Sequence, residues 1–245
     1  MIADRIREMQ TKLPQGVRLV AVSKFHPAEA IRQAYDAGQR VFAESRPQEL
    51  AAKVGQLPAD IEWQFIGHLQ TNKLKLVLPY VSLVQSVDTL HLLEAINRWG
   101  SGEGRIVPIL LELHLGAEET KQGFSAEEIR SLLLSGNVAK AYPFVTIRGL
   151  MGMATNTDDE ARIEADFARI EALFSEIREA LPQPLQEHFT ELSIGMSDDW
   201  PLALRHGATM IRLGTCLFGP REQLYDRLQC RARDCRRHCA GAGGL

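Results

Sequence analysis

Eight short apolar runs alternate with helix-like amphipathic segments along the 245 residues of the chain. Strict alternation of this kind predicts a parallel sheet with right-handed crossovers. Eight strand–helix units in a chain near the usual barrel length of about 250 residues favour a single (β/α)8 barrel of the TIM type over an open doubly wound sheet. An extra amphipathic helix is expected over residues 2–12. The eight predicted strands are 19–22, 40–43, 61–66, 81–87, 106–115, 145–153, 191–193 and 209–213.

Charge and hydropathy exclude several classes of partner. The net charge of −3 argues against a dedicated nucleic-acid binder, because such domains are usually basic. No apolar run approaches the roughly 20 residues of a membrane span. The charged start of the chain has no apolar segment of the secretory kind. We therefore expect a cytoplasmic protein without a nucleic-acid or membrane partner.

The first strand ends on a lysine. Leu19 to Val22 are apolar and partly β-branched, which is typical of a strand buried on both faces. Lys24 follows, and Pro27 suits the first turn of the next helix. In α/β proteins the carboxyl ends of the strands form the ligand crevice, where an amine can form a Schiff base with an aldehyde. The alternative is a solvated lysine with no chemical role.

The loops after the last two strands suit a phosphate. Ser197 follows strand seven, while Gly214 and Thr215 follow strand eight. In barrels these two loops frequently bind phosphate through backbone N–H groups and a helix N-terminus. The alternative for the Ser197 segment is an ordinary helix N-cap.

Arg212 lies within the apolar eighth strand, where a buried charge needs a partner. The partner of Arg212 is expected to be either Glu191 or a ligand atom such as a pyridine nitrogen. Because a guanidinium does not give up its proton, it would leave that nitrogen unprotonated. The ring would then be a poor electron sink, which favours holding a cofactor over carbanion chemistry.

Several segments together resemble the pyridoxal phosphate homeostasis protein family. The resemblance runs from about residue 2 to residue 222, and it implies a fold-type III barrel like the N-terminal domain of alanine racemase, without that enzyme's second domain. It also implies binding of pyridoxal 5′-phosphate (PLP), with a role in vitamin B6 and amino-acid homeostasis and no established reaction. The segments are LVAVSK (19–24), FIGHLQTNK (65–73), RGLM (148–151), LSIGMSDD (192–199) and IRLGT (211–215).

The resemblance also implies roles for individual residues. Lys24 matches the lysine that forms the Schiff base, and Arg212 matches the arginine near the pyridine nitrogen. The phosphate residues are expected at Ser197, Gly214 and Thr215.

Two further residues are expected near the ring. Met196 would lie beside it. Many family members read Gly-Glu-Asn-Tyr where this chain has Ala43-Glu44-Ser45-Arg46, so Ser45 is expected to replace the missing polar contact.

Three functions agree with these features. The first is a monomeric, non-catalytic PLP carrier or regulator whose recipients are PLP-dependent apoenzymes. The second is a PLP-dependent racemase, which needs a second base that no tyrosine at a strand end supplies. The third is a regulatory protein whose partner recognises the PLP-loaded surface.

The chain divides into a barrel over residues 1–222 and a C-terminal segment over residues 223–245. That segment contains Cys230, Cys235 and Cys239 with several arginines, but their spacing fits no trusted zinc pattern. We expect a mobile tail with no metal.

Overall fold

The computed structural model describes residues 1–116 and 122–219. Eight parallel strands form a closed barrel in which each strand pairs with its neighbours in sequence and β1 pairs with β8. The predicted (β/α)8 barrel is confirmed. The strands are β1 (Arg18–Val22), β2 (Val41–Glu44), β3 (Glu62–Phe65), β4 (Val81–Val87), β5 (Val107–Leu113), β6 (Val145–Gly152), β7 (Glu191–Ser193) and β8 (Met210–Leu213).

Helices surround the barrel, and α1 precedes β1 as expected. Local signals in the sequence fix several helix starts. Ser125 and Glu128 form the capping box that opens α6, and Thr89 caps α5 by accepting a hydrogen bond from the N–H of Leu92 at 3.2 Å. The helices are α1 (Ile2–Lys12), α2 (Ala28–Asp36), α3 (Pro47–Val54), α4 (Leu74–Val77), α5 (Leu90–Glu103), α6 (Ala126–Leu134), α7 (Val138–Ala141), α8 (Glu160–Ala180), α9 (Gln183–Gln186), α10 (Trp200–Arg205) and α11 (Thr215–Phe218).

The structure differs from the predicted elements over residues 69–78, and it contains three short helices that were not expected, α7, α9 and α11. A single helix was expected over residues 69–78, but the chain forms a 3-10 turn at Thr71–Lys73 and then the short helix α4. A helix was expected after Pro220, whereas α11 begins directly after β8. The helix expected after Pro220 and the predicted tail at 223–245 lie outside the described residues.

The core has two parts. The larger part fills the space between the sheet and the helices and contains most of the buried aliphatic and aromatic side chains. A small apolar layer lies inside the barrel, as the packed interior of such barrels requires. That inner layer consists of Val20, Val22, Ala43, Leu83, Leu110, Met151 and Met210.

The ends of the described chain meet where the barrel closes. Four residue pairs join β1 to β8, from Arg18↔Met210 to Ala21↔Leu213. Outside this seam, the Arg5 guanidinium of α1 donates to the carbonyl of Leu217 in α11 at 3.4 Å. Within the described residues, no helix is long and apolar enough to span a membrane.

Candidate functional site

Lys24 lies in a tight turn at the carboxyl end of β1. The carbonyl of Ser23 accepts a hydrogen bond from the N–H of His26 at 3.1 Å, so Lys24 and Phe25 occupy the two central positions. Lys24 is half-buried. The ring of His26 stacks on Phe218 of α11 with 5.0 Å between centroids, which joins this turn to the loop after β8.

Beneath the turn, α3 provides a second lysine. Lys53 is 7 % exposed, and its Nζ donates to the Ser23 carbonyl at 3.0 Å and to Glu44 Oε1 at 2.7 Å. Glu44 is fully buried at the end of β2 and also accepts from Ser23 Oγ at 2.6 Å. Desolvation raises the pKa of Glu44, and the Lys53 ammonium opposes that shift.

The loops after β7 and β8 meet beside the same turn. Ser197 Oγ accepts from the N–H of Gly214 at 3.4 Å. A Cβ on Gly214 would lie 3.3 Å from the carbonyl oxygen of Val22, so only a residue without a side chain fits here comfortably. This close approach places the Ser197–Gly214 loops next to the β1 end that carries Lys24.

These loops offer unused hydrogen-bond donors. Within the described part of the chain, the backbone N–H groups of Ser197, Thr215 and Cys216 donate to no other residue. Thr215 is exposed and begins α11. Backbone N–H groups that converge in this way suit an anion such as a phosphate. The predicted residues Ser197, Gly214 and Thr215 therefore lie together.

Arg212 is only 4 % exposed and faces the barrel interior near the mouth. Its guanidinium donates to the carbonyl and hydroxyl of Ser193, both at 2.7 Å, and to the carbonyl of Gly152 at 2.9 Å. Of the two partners expected for Arg212, Glu191 is excluded, because its carboxylate binds Arg18 at 3.0 Å instead. Burial lowers the pKa of Arg212 to about 10, so the group stays charged at neutral pH.

A chain of polar side chains continues from Arg212 across the barrel. Ser193 Oγ donates to Gln85 Oε1 at 2.7 Å, and the amide of Gln85 donates to Gln64. All four groups are buried. This layer closes the apolar interior below the mouth and provides a polar floor for a ligand.

Ser45 and Met196 lie at the mouth, after the strands that flank the β1–β8 pair. Ser45 follows β2 and is half-buried, whereas Met196 follows β7 and is 38 % exposed. Arg46, which differs from the family pattern, places its guanidinium 4.3 Å above the ring of Phe25. The unusual residue therefore covers the turn that contains Lys24.

The wall formed by β4 and β5 is acidic. His68 Nδ1 lies 3.0 Å from the carboxylate of Asp88, which is buried just after β4. Glu112, near the end of β5, is 7 % exposed and accepts no side-chain hydrogen bond from the described residues. Desolvation and the nearby Asp88 raise the pKa of Glu112 to about 7, opposed by Arg212 and His68.

An open cavity of about 240 Å³ lies against this wall, between the loops that follow β5, β6 and β7. Its lining includes Glu112, His114, Met153, Thr155 and Met196. Among the described residues, no group of histidine, cysteine or acidic side chains is arranged to hold a metal ion.

The sequence reasoning missed Glu44, Lys53, Glu49, Gln64 and Gln85. Glu49 and Lys53 are spaced i, i+4 on a helix, which reads as an ordinary exposed ion pair. Their burial comes from the packing of α3 over the end of β1, which no local pattern reports. Glu44 and Gln64 are polar residues inside predicted strands, and that was the available signal.

Comparison with known proteins identifies relatives along almost the whole chain. A family described as "Alanine racemase, N-terminal domain" matches residues 1–222. The pyridoxal phosphate homeostasis protein of Pasteurella multocida is 36 % identical over 217 residues, which cover 87 % of this chain and 91 % of the relative.

Solved structures also include relatives of this chain, together with more distant proteins of the same fold. PipY of Synechococcus elongatus, solved without PLP, superposes with a TM-score of 0.83 at 40 % identity, covering 89 % of this chain and 100 % of PipY. The PLP-bound structure of PipY gives a TM-score of 0.79 at 39 % identity, with the same coverage. Alanine racemase of E. faecalis shares the fold at 18 % identity and a TM-score of 0.67, covering 89 % of this chain and 57 % of the racemase. The chain belongs to the alanine racemase N-terminal domain family, within the group of pyridoxal phosphate homeostasis proteins.

Proposed function

We propose that this chain binds PLP through a Schiff base at Lys24 and acts as a non-catalytic carrier or regulator in intracellular PLP and amino-acid homeostasis. One observation carries the proposal. The turn that holds Lys24 follows β1, the Gly214 loop follows the paired strand β8, and the Ser197 loop after β7 accepts a hydrogen bond from Gly214. An amine and an anion site are thus within reach of one small ligand. Binding of PLP by PipY, 39 % identical, supports the choice of ligand.

The residues at the mouth fit this ligand. The unused N–H groups and the hydroxyls of Ser197 and Thr215 would hold its phosphate, and Gly214, whose N–H donates to Ser197 Oγ, would allow the close approach of the loop to β1. Arg212 would face the pyridine nitrogen. When bound, PLP supplies an aldehyde and an electron-withdrawing ring. The Lys24 amine would bond to the aldehyde carbon, and the aldehyde oxygen would leave as water with the two protons of the amine.

Met196, after β7, and Ser45, after β2, would lie beside the ring. Arg212 supports a carrier over an enzyme of carbanion chemistry. Its guanidinium is a donor that remains protonated at neutral pH, and three hydrogen bonds hold it in place. A pyridine nitrogen beside it stays unprotonated, so the ring withdraws electrons weakly.

Racemase activity is the alternative, and the positions of the tyrosines argue against it. Racemisation requires a base on each face of the substrate carbon. Within the described residues, Tyr35 lies on α2 bound to Asp60 at 2.7 Å, Tyr80 is exposed before β4, and Tyr142 follows α7. None of these three lies at the carboxyl end of a strand. Tyr225 lies outside the described residues.

The test is visible absorption of the purified protein with PLP, followed by borohydride reduction and peptide mass mapping. We expect a yellow protein with one phosphopyridoxyl group, fixed on the peptide that contains Lys24. Lys24→Ala should abolish the fixed product. The matched control is Lys75→Ala, because Lys75 is an exposed lysine on α4.

A colourless protein that takes up no PLP, or fixation on other lysines, would overturn the binding proposal. Steady conversion of an L-amino acid to its D-form, lost in Lys24→Ala, would instead establish the racemase. Transfer of PLP to an apoenzyme in a two-protein assay, with the holo form of this chain as donor, is the outcome expected of a carrier. A monomer on size exclusion is expected as well.

A further inference from the structure

The turn around Lys24 has a strained backbone. Phe25 has a φ of +69°, and among the described residues no other non-glycine residue has a positive φ. Positive φ at the third residue of a hydrogen-bonded turn is the pattern of a type II turn, where glycine is favoured. A phenylalanine at this position is strained, because its Cβ crowds the backbone at positive φ. Surrounding contacts therefore have to hold the turn.

Two side chains of α3 hold it from both sides. Lys53 Nζ donates to the carbonyl of Ser23 at 3.0 Å, which belongs to the peptide group preceding Lys24. Glu49 Oε2 accepts from the N–H of Phe25 at 2.8 Å, which belongs to the peptide group following Lys24. Lys53 and Glu49 also bind each other at 3.1 Å. Both peptide groups that adjoin Lys24 are therefore fixed by one pair of side chains on one helix.

The third donor of Lys53 reaches the end of β2. Its ammonium has three N–H groups and three acceptors: the Ser23 carbonyl, Glu49 Oε2, and Glu44 Oε1 at 2.7 Å. A buried ion pair of this kind is weak evidence for stability, since well-packed apolar residues often do as well. The geometry instead directs every contact of Lys53 toward the turn that carries Lys24 or toward the residues that bind that turn.

We propose that Lys53, acting with Glu49, is a positioning residue that clamps the Lys24 turn and so presents the Lys24 amine to an aldehyde. Lys53 is itself too deeply buried to compete for the aldehyde. The inference rests on the proposed function of Lys24 and assigns to α3 a role in Schiff-base formation.

The experiment compares two ligands on Lys53→Met. PLP can react with Lys24, whereas pyridoxine 5′-phosphate has the same ring and phosphate but a hydroxymethyl group instead of the aldehyde. The affinity for PLP is expected to fall about tenfold or more, and its rate of imine formation with it, because charge-assisted hydrogen bonds no longer hold the turn. The affinity for pyridoxine 5′-phosphate should change less than about twofold, because the anion site lies on other loops. Lys75→Met is the control for the same substitution on an exposed lysine.

Two further variants keep the inference testable if Lys53→Met does not fold. Glu49→Ala removes the acceptor for Phe25 at a partly exposed position and should show the same split between the two ligands, while Glu49→Gln keeps an acceptor and should restore most of the PLP affinity. Adding Phe25→Gly should rescue Lys53→Met or Glu49→Ala, because glycine adopts positive φ at little cost.

Equal losses of affinity for PLP and for pyridoxine 5′-phosphate would show that α3 supports the whole mouth, and would overturn the proposal that Lys53 and Glu49 position Lys24. Unchanged PLP affinity in a folded variant would overturn it as well. Failure of the proposed function is distinguishable, since wild type would then fix no PLP on Lys24. If wild type fixes PLP on Lys24 and the folded variants do so equally well, only the clamp is wrong.

Discussion

Two walls of the barrel mouth each bury a glutamate, but only one of the two carboxylates accepts hydrogen bonds from the described residues. Glu44 ends β2 and Glu112 lies near the end of β5, and desolvation is the largest cause of the raised pKa at both. Glu44 Oε1 accepts hydrogen bonds from Ser23 and Lys53, whereas Glu112 accepts none from the described residues. Similar burial therefore has different consequences at the two sites. Glu44 is held in place by its hydrogen-bond partners, whereas the pKa of Glu112, which lacks such partners among the residues that the structure describes, is raised to about 7.

The asymmetry matches the layout of the site. The wall of β1 and β2 holds Lys24 in a turn that is fixed by hydrogen bonds, as the proposed covalent attachment of a ligand would require. The wall of β4 and β5 borders the open cavity of about 240 Å³. The β1–β2 side of the mouth therefore fixes the position of Lys24, whereas the β4–β5 side leaves open space next to Glu112.

The largest change in the free energy of unfolding is expected from removing Glu44, the glutamate that has hydrogen-bond partners. Glu44→Leu leaves the Lys53 ammonium buried without its main counter-charge, so the free energy of unfolding should fall by about 3–5 kcal/mol. Glu112→Leu removes a carboxyl that has no hydrogen-bond partner to orphan, and its cost at neutral pH should be about 1 kcal/mol or less. Urea unfolding of both variants measures the difference. Similar losses for the two would contradict the comparison between the walls.

A pH series sharpens the comparison at the unpartnered side. The pKa of Glu112 is raised from 4.5 to about 7, so the folded state binds its proton more tightly than the unfolded state. This stabilising contribution is present below pH 4.5 and is lost as pH rises through about 7. Between about pH 5 and about pH 8, wild type should lose about 1–3 kcal/mol more stability than Glu112→Gln.

Glu62→Gln, an exposed site at the start of β3, is the matched control for the pH series. Asp88, His68 and Arg212 face Glu112 and remain in both proteins, so their own contributions largely cancel. Parallel stability curves for wild type and Glu112→Gln would show that Glu112 finds a partner in solution.

The smallest effect is expected from the end of the chain. The family match stops at residue 222, and both walls lie within it. Deletion of residues 222–245 should therefore leave the PLP affinity unchanged within about twofold. Fluorescence titration of the truncated chain with PLP measures this. A loss of binding would mean that the C-terminal segment, with Cys230, Cys235 and Cys239, completes the site.

Local patterns predicted most of the fold. The apolar run before Lys24 and the capping box at Ser125 report structure within a few residues, and both are found where expected. The single helix expected over residues 69–78 was wrong, because Thr71–Lys73 forms a 3-10 turn and the α-helix begins only at Leu74.

For the site too, residues marked by local sequence patterns were predicted and residues joined by tertiary packing were not. Lys24, Arg212 and Gly214 were expected from their places at or in strands, and the structure brings them to one end of the barrel, although their roles toward PLP stay predictions. The Glu44–Lys53 pair was not expected, because it joins a strand to the following helix across nine positions, a spacing with no periodic signal. Contacts of that kind come from tertiary packing, which a single sequence does not display.

The closing seam between β1 and β8 also has a consequence for how the protein is made. Lys24 is near the start of the chain, while Gly214, which packs against Val22, is near the end of the described residues. Because the ribosome delivers β8 last, the amine and the anion loops meet only when the barrel is already nearly synthesised. A nascent chain that ends before β8 contains Lys24 and Ser197 but lacks Arg212, Gly214 and Thr215. Under the proposed function, the barrel would therefore have to be completed before the chain could load PLP, and products truncated before β8 would not retain the cofactor.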